Sequence, residues 1–202
     1  MKSKKWTLIL TSLTALTLMT ACGQSTTKSS TTAAADTTAI STSATNSQSS
    51  YFTEKDYDTS YDESTASKIE LSGSSANVSG DGVTVSESTV TITKSGTYVI
   101  SGQSDGVQIK VEADKSADVH LVLKGATMTN TNAAISATSA GHVYLTLAEG
   151  TTNSLSDSSS NSDDKANAAL FSKVDLTING SGTLTVDGKK NNGIKANDTL
   201  HI

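Results

Sequence analysis

Apolar and polar residues alternate in short runs along this 202-residue chain, and the runs recur. Gly96-Thr97-Tyr98-Val99-Ile100, Val119-His120-Leu121-Val122-Leu123, Val143-Tyr144-Leu145-Thr146-Leu147, Val174-Asp175-Leu176-Thr177-Ile178 and Asp198-Thr199-Leu200-His201-Ile202 can be stacked on one another. Period-two alternation marks half-buried strands, and from about residue 80 no helical period competes with it. Ile100, Leu123, Leu147, Ile178 and Ile202 follow one another at intervals of 23, 24, 31 and 24 residues. The long interval contains Ser156–Lys165, a polar run that reads as an inserted loop. A glycine follows the strand in four of the five runs, at Gly102, Gly125, Gly150 and Gly180.

Further short strands are expected at Ala168-Ala169-Leu170 and Thr183-Leu184-Thr185-Val186, with Ala133-Ala134-Ile135 and Gly193-Ile194 in the equivalent slot of neighbouring repeats. A period near 24 with about three short strands per repeat predicts an all-β parallel β-helix, a solenoid in which each winding satisfies the open edge of the last. The alternative is a β-sandwich, which also uses short strands at close spacing. The chain has no proline, as laddered strands require. Ile202 falls in mid-strand, so the chain reads as the N-terminal part of a longer, C-terminally truncated solenoid. The alternation places Tyr98, Leu121, Leu145, Leu176 and Leu200 inside. It sets His120, Tyr144 and Asp175 in one outward row, about 4.8 Å apart. Such a row could follow an extended glycan, Tyr144 stacking on a sugar face while its neighbours bond hydroxyls; an ordinary solvated face is the alternative.

The N-terminus is organised differently. Met1–Lys5 is basic, and Trp6–Met19 is apolar but shorter than the roughly 20 residues that span a bilayer. Met19-Thr20-Ala21-Cys22-Gly23 resembles a bacterial lipobox, which implies cleavage before Cys22 and lipid on its thiol; a plain secretory leader is the alternative. Residues 1–21 are thus expected to be a lipoprotein signal peptide. Residues 22–50, more than half Ser or Thr beyond Cys22, are expected to be a disordered tether, and residues 51–202 the folded domain. The protein is placed outside the cytoplasm, attached to the cell membrane through its lipid only.

Composition then narrows the partners. All fifteen basic residues are lysines, against twenty acids, and the net charge is −5. Removing the leader would take Lys2, Lys4 and Lys5 and leave the chain more acidic still. That balance excludes a nucleic-acid groove and a polybasic membrane patch. A single Cys excludes a disulfide framework and a thiolate zinc site. Within the inserted loop Asp157, Asp163, Asp164 and Asn167 offer four oxygen donors of the kind calcium takes, without the spacing of an EF-hand. Enzymatic chemistry is sparse: no nucleophile elbow or zinc motif occurs, and Asp163 and Asp164 lie on a loop rather than on rigid strands. Lys173 is the one candidate base.

The runs Val90–Gly102, Leu147–Asp157 and Ala168–Gly182 together resemble a family of secreted bacterial carbohydrate-binding domains, over about Tyr51–Ile202. The resemblance implies a right-handed parallel β-helix like that of the pectate lyases, calcium binding, and non-catalytic association with cellulose and acidic pectic sugars. Where that family carries Ser-Lys-Asp-Asp-Leu, this chain has Ser172-Lys173-Val174-Asp175-Leu176 and Ala196-Asn197-Asp198-Thr199-Leu200, each short of one Asp. The resulting expectation is a monomeric, lipid-anchored, non-catalytic polysaccharide-binding protein. His120, Tyr144, Asp175 and Lys173 would face the glycan, and calcium would bridge acidic protein and acidic sugar. A β-helical lyase or hydrolase and a purely structural adhesin or cell-wall spacer are the alternatives.

Overall fold

The computed structural model describes residues 51–202. Residues 1–50, on which the expected signal peptide, the expected lipid site at Cys22 and the expected tether fall, lie outside the described residues. Two hairpins come first, β1 (Ser67–Gly73) with β2 (Ser75–Ser79) and β3 (Val83–Ser86) with β4 (Thr89–Ile92). Then follow β5 (Gly96–Asp105), β6 (Gln108–Glu112), β7 (Asp118–Thr129), β8 (Ile135–Ser139) and β9 (His142–Leu147). The remainder are β10 (Thr152–Ser156), β11 (Ala168–Ser172), β12 (Asp175–Gly180), β13 (Thr183–Asp187), β14 (Asn192–Ala196) and β15 (Leu200–His201).

These strands form two mixed sheets, one of nine strands along β15-β12-β9-β7-β5-β1-β2 with β10 and β13 branching from β7, and one of six in the order β14-β11-β8-β6-β4-β3. The right-handed parallel β-helix, the closed solenoid expected from the repeat, is therefore not the description that fits. No ladder joins the two sheets, and each begins with an antiparallel pair. The reason is local. Two-residue turns at Gly73-Ser74 and Glu87-Ser88, with positive φ at Gly73 and Glu87, send the chain straight back on itself. Two facing layers around one core are closer to the β-sandwich alternative, although most ladders inside each layer are parallel rather than Greek-key.

The repeat survives as the register of those parallel ladders. Tyr98, Leu121 and Leu145 pair in line, as do Ile100, Leu123 and Leu147. One step differs from the sequence alignment: Leu145 pairs with Ile178 rather than Leu176, and Asp175 pairs with His142 rather than Tyr144. The slip is two residues, so inward residues stay inward. A bulge at Lys124-Gly125 bends β7, whose first half pairs with β9 and whose second half pairs with β10.

Side chains from both layers fill the interior. Ile69, Ile100, Leu121, Leu123 and Leu145 come from the larger sheet, and Val90, Ile92, Ile109, Ile135 and Leu170 from the smaller; all are fully or almost fully buried. Small aliphatic residues suffice because the layers need no large aromatic filler, and Tyr98 alone brings a ring into the main core, its hydroxyl donating to the Lys94 carbonyl at 2.9 Å.

Candidate functional site

The outer face of the nine-stranded sheet carries His120 and Tyr144 side by side, followed by Thr177 and His201 in the same register row. Asp175 lies in the adjacent row with Asp118 and His142. The expected line of His120, Tyr144 and Asp175 is thus broken after its second member. More consequentially, the row is covered. Residues 52–66 cross it as a strap, and Tyr144 is left 8% exposed.

Strap and sheet are joined by a hydrogen-bonded ladder. A 3₁₀ turn at Glu54–Tyr57 is held at its start by Asp56, whose Oδ2 accepts from the Thr53 amide at 2.7 Å and the Thr53 hydroxyl at 2.8 Å, while the Asp56 amide donates to the Thr53 carbonyl at 3.1 Å. Oδ1 of the same carboxylate accepts from the Thr177 hydroxyl, with His201 Nδ1 at 3.2 Å and His142 Nε2 at 4.0 Å. Because Thr177 spends its proton on Asp56, the 2.8 Å contact to His142 must be Nε2–H donating to Thr177 Oγ1, which fixes that tautomer. The same logic makes His120 Nε2–H the donor to Thr146, whose hydroxyl donates to Asn179 Oδ1. The Asn179 amide then donates to the carbonyls of Asp56 and Asp58.

Rings and ion pairs finish the cover. Phe52 packs on His201 at 4.5 Å, Tyr61 meets His120 edge-on at 6.4 Å, and His142 stacks on Tyr144 at 4.1 Å. Lys55 pairs with Asp118 and stands 4.9 Å from the Tyr144 ring centre; Lys124 pairs with Glu63 at 2.6 Å. Burial, chiefly, pushes the Tyr144 hydroxyl up to about 12 and lowers both His120 and His142. Burial alone would raise the Asp56 carboxyl, but the donors from Thr177, Thr53 and His201 together outweigh it and hold the group far below the usual carboxylate range. A face so occupied does not present Tyr144 to a sugar.

The six-stranded sheet presents a different surface. Lys110, Ser136, Phe171 and Lys195 pair across β6, β8, β11 and β14 in one outward row, with Thr138 further along β8 and Lys173 and Asn197 just beyond the ends of β11 and β14. Beside them the inserted loop folds back, and the two enclose a cleft of about 490 Å³ lined by Lys165, Lys173 and Lys195, Asp163 and Asp164, with Ser136, Thr138, Ala166, Phe171 and Asn197. Lys195 Nζ donates to the Lys165 carbonyl at 2.8 Å and to Asn167 Oδ1 at 3.0 Å, and lies 5.8 Å from the buried Phe171 ring centre. Lys173 and Lys165 are exposed. Three lysines against two aspartates leave the lining a small excess of positive charge beside hydroxyl and amide groups, which suits a ligand that carries both hydroxyls and negative charge.

The four expected calcium donors do not assemble. Asp157 is fully buried and accepts from the Lys189 amide at 2.6 Å and from Asn161 Nδ2 at 3.1 Å. Asp163 closes a turn, accepting from the Lys165 and Ala166 amides at 3.0 Å, and Asn167 is held by Lys195. Among the described residues no three His, Cys, Asp or Glu side chains are grouped so as to hold a metal. As they stand, Asp157, Asp163 and Asn167 are turned to protein donors rather than to one shared centre.

Of the residues singled out in the sequence, the cleft gathers Lys173, Asp163 and Asp164, while the strap-covered face takes His120 and Tyr144, with Asp175 one row away. Asp56, Lys165 and Lys195 went unnoticed. A signal for the strap did exist: Asp58-Thr59-Ser60 and Asp62-Glu63-Ser64 share the Asp-x-Ser pattern, in which the carboxylate accepts from the amide and hydroxyl of the serine. Each such turn fixes a bend in the strap without any hydrophobic period.

Comparison with known proteins bears on the ligand. The model of the family described as "Carbohydrate-binding domain-containing protein" matches residues 86–202. A carbohydrate-binding domain-containing protein of Acetivibrio thermocellus is 40% identical over 115 residues, which make up 54% of this chain and 40% of that protein. The solved structure of the polysaccharide lyase-like protein from C. thermocellum, a gadolinium derivative, is similar with a TM-score of 0.64 at 39% identity, covering 67% of this chain and 57% of that one. The chain therefore spans well under two thirds of either relative. The matched region contains both β11 and the inserted loop, and hence the whole cleft.

Proposed function

Since this chain belongs to the family of carbohydrate-binding domain-containing proteins, we propose that it holds a polysaccharide, without cleaving it, in the cleft between the inserted loop and the six-stranded sheet. The observation that carries this reading is the cleft itself, where Lys165, Lys173 and Lys195 converge on a protein that is otherwise acidic. A polymer with carboxylates, such as a pectic uronate, meets those ammonium groups, while its ring hydroxyls meet Ser136, Thr138 and Asn197. A cellulose-like glucan offers only the second set of contacts and binds more weakly. In the same reading the protein is a monomer displayed outside the cytoplasm and anchored by lipid on Cys22, which the Met19–Gly23 motif supports.

Migration of the purified chain through gels containing polygalacturonate or a soluble glucan tests this, with chelator present throughout. Retardation by the uronate is expected, weakening as salt screens exposed charges. Lys173→Ala is expected to weaken it about threefold to fivefold, the size of one solvent-exposed ion pair. No retardation by either polymer removes the binding reading; full retardation of a Lys165→Ala, Lys173→Ala double variant moves the site elsewhere. The polysaccharide lyase-like relative favours a second reading, in which Lys173 acts as the base of an eliminating enzyme. Absorbance from unsaturated sugar, rising with wild-type protein and flat with Lys173→Ala, would establish that instead.

A further inference from the structure

One buried carboxylate sets the shape of the cleft's loop wall. Asp157 stands at the start of the loop, fully buried, with Oδ1 accepting from the backbone amides of Lys189 at 2.6 Å and Lys190 at 3.4 Å. Its Oδ2 accepts from Asn161 Nδ2 at 3.1 Å, and its own amide donates to the Asp187 carbonyl at 3.3 Å. Asn161, also buried, passes the connection on, donating to the Ala166 carbonyl at 3.3 Å and accepting from the Asp163 amide at 2.9 Å. The end of β10, the turn between β13 and β14 and the far limb of the loop are thus tied to one side chain.

We infer that Asp157 is a positioning residue for the glycan cleft, an internal anion that fixes the wall carrying Asp163, Asp164 and Lys165 with no cation at its centre. The inference rests on the carbohydrate-binding reading above and deepens it. Every donor around this carboxylate is an N–H, and N–H groups turn their positive ends toward the position an ion would need. At the other end of the loop a protein cation stands where a metal could: Lys195 Nζ is bonded to the Lys165 carbonyl and Asn167 Oδ1, two oxygens of the kind calcium takes. Asp157 and Lys195 together order the wall when the chain folds, so a ligand meets a formed surface and the cost of ordering the loop does not fall on binding.

The test uses the full chain as wild type, Asp157→Asn and Asp157→Ala. Each is titrated calorimetrically with oligogalacturonate in excess chelator and, separately, with calcium chloride alone. Asp157→Ala is expected to bind the oligosaccharide about tenfold more weakly, since its loop must be ordered on binding. Asp157→Asn keeps the acceptor for the Lys189 amide and is expected to recover most of that loss, which general destabilisation would not produce. Calcium heats are expected to be the same in all three chains. A calcium-binding event present in wild type and missing from Asp157→Ala would overturn the inference by making the residue a metal ligand, as would equal oligosaccharide affinity in all three. If Asp157→Ala does not fold, Asp157→Asn carries the test through exchange of the Lys189 and Lys190 amides, expected to stay slow and overturning the inference if fast. Failure of the wild type itself to bind any glycan removes the carbohydrate reading, a result distinguishable from the others.

Discussion

Gly180→Ala is expected to lower the stability of the domain by roughly 3 kcal/mol or more. The residue ends β12 at φ +97, a conformation that costs a side-chain-bearing residue about 1–2 kcal/mol. A methyl group there would stand 2.3 Å from the Leu147 carbonyl oxygen and 2.8 Å from the Leu147 amide nitrogen. Both atoms belong to the neighbouring strand β9, so relief requires separating two paired strands rather than rotating a side chain. Gly150 makes the control: its φ is also positive, at +70, but a methyl group would find no atom within 4 Å. Gly150→Ala is expected to cost only about 1 kcal/mol. Urea unfolding followed by far-ultraviolet circular dichroism separates the two; equal losses would mean that β9 and β12 are not stacked as described.

Asp56→Ala is expected to cost about 2–4 kcal/mol and to free the strap. The substitution leaves the buried Thr177 hydroxyl and the largely buried His201 ring without their shared acceptor and frees the exposed Thr53 amide to water, and unmet buried donors cost about 1–3 kcal/mol each before relaxation. Proteolysis within residues 52–66 should then be faster than in the wild type and precede unfolding of the sheets. The pH dependence has a definite sign. Asp56 titrates lower in the folded chain than in the unfolded one, so its contribution is complete above about pH 4, the unfolded carboxylate value, and fades as pH falls below it. His120 and His142 are also lowered, so folding favours their neutral rings and stability begins to drop as pH falls through about 6.5. The strap is therefore tightest at neutral pH and above. Asp56→Ala should lessen the acid-side decline, leaving the part that Asp58, Asp62, Glu63 and Asp114 contribute, and keep the one near pH 6; a variant whose acid-side decline is unchanged would show that Asp56 is not the anchor.

Much of the layered core was readable in the sequence, because inward and outward residues alternate whatever the ladder register. The register itself was readable only where intervals were short. Across the 31-residue interval both Leu176 and Ile178 could sit opposite Leu145, and only the folded loop chooses Ile178. The two-layer architecture was hidden for a related reason. It depends on reversals at Gly73 and Glu87, and a glutamate at φ 54 carries no turn signal of its own. The strap was hardest to see. Phe52 and Tyr61 follow neither a period of two nor one of 3.6, and their value lies in rings from strands far along the chain. That is why Tyr144 reads from sequence as an exposed sugar platform and stands in the fold beneath Lys55. Asp157 reads as a metal ligand for a comparable reason: its amide partners at Lys189 and Lys190 lie beyond the next three strands.

The location of the binding surface is the point on which the whole account turns, and lysine footprinting addresses it directly. The intact chain is acetylated briefly, with and without saturating oligogalacturonate, and the modification at each lysine is read by mass spectrometry. Lys165 and Lys173, both exposed at the cleft, should be protected, while Lys68 and Lys94, on the strands and turns of the opposite end, react as before. Protection confined to Lys55 and Lys124, beside the strap, with the cleft lysines unchanged would place the glycan on the nine-stranded sheet and contradict the account.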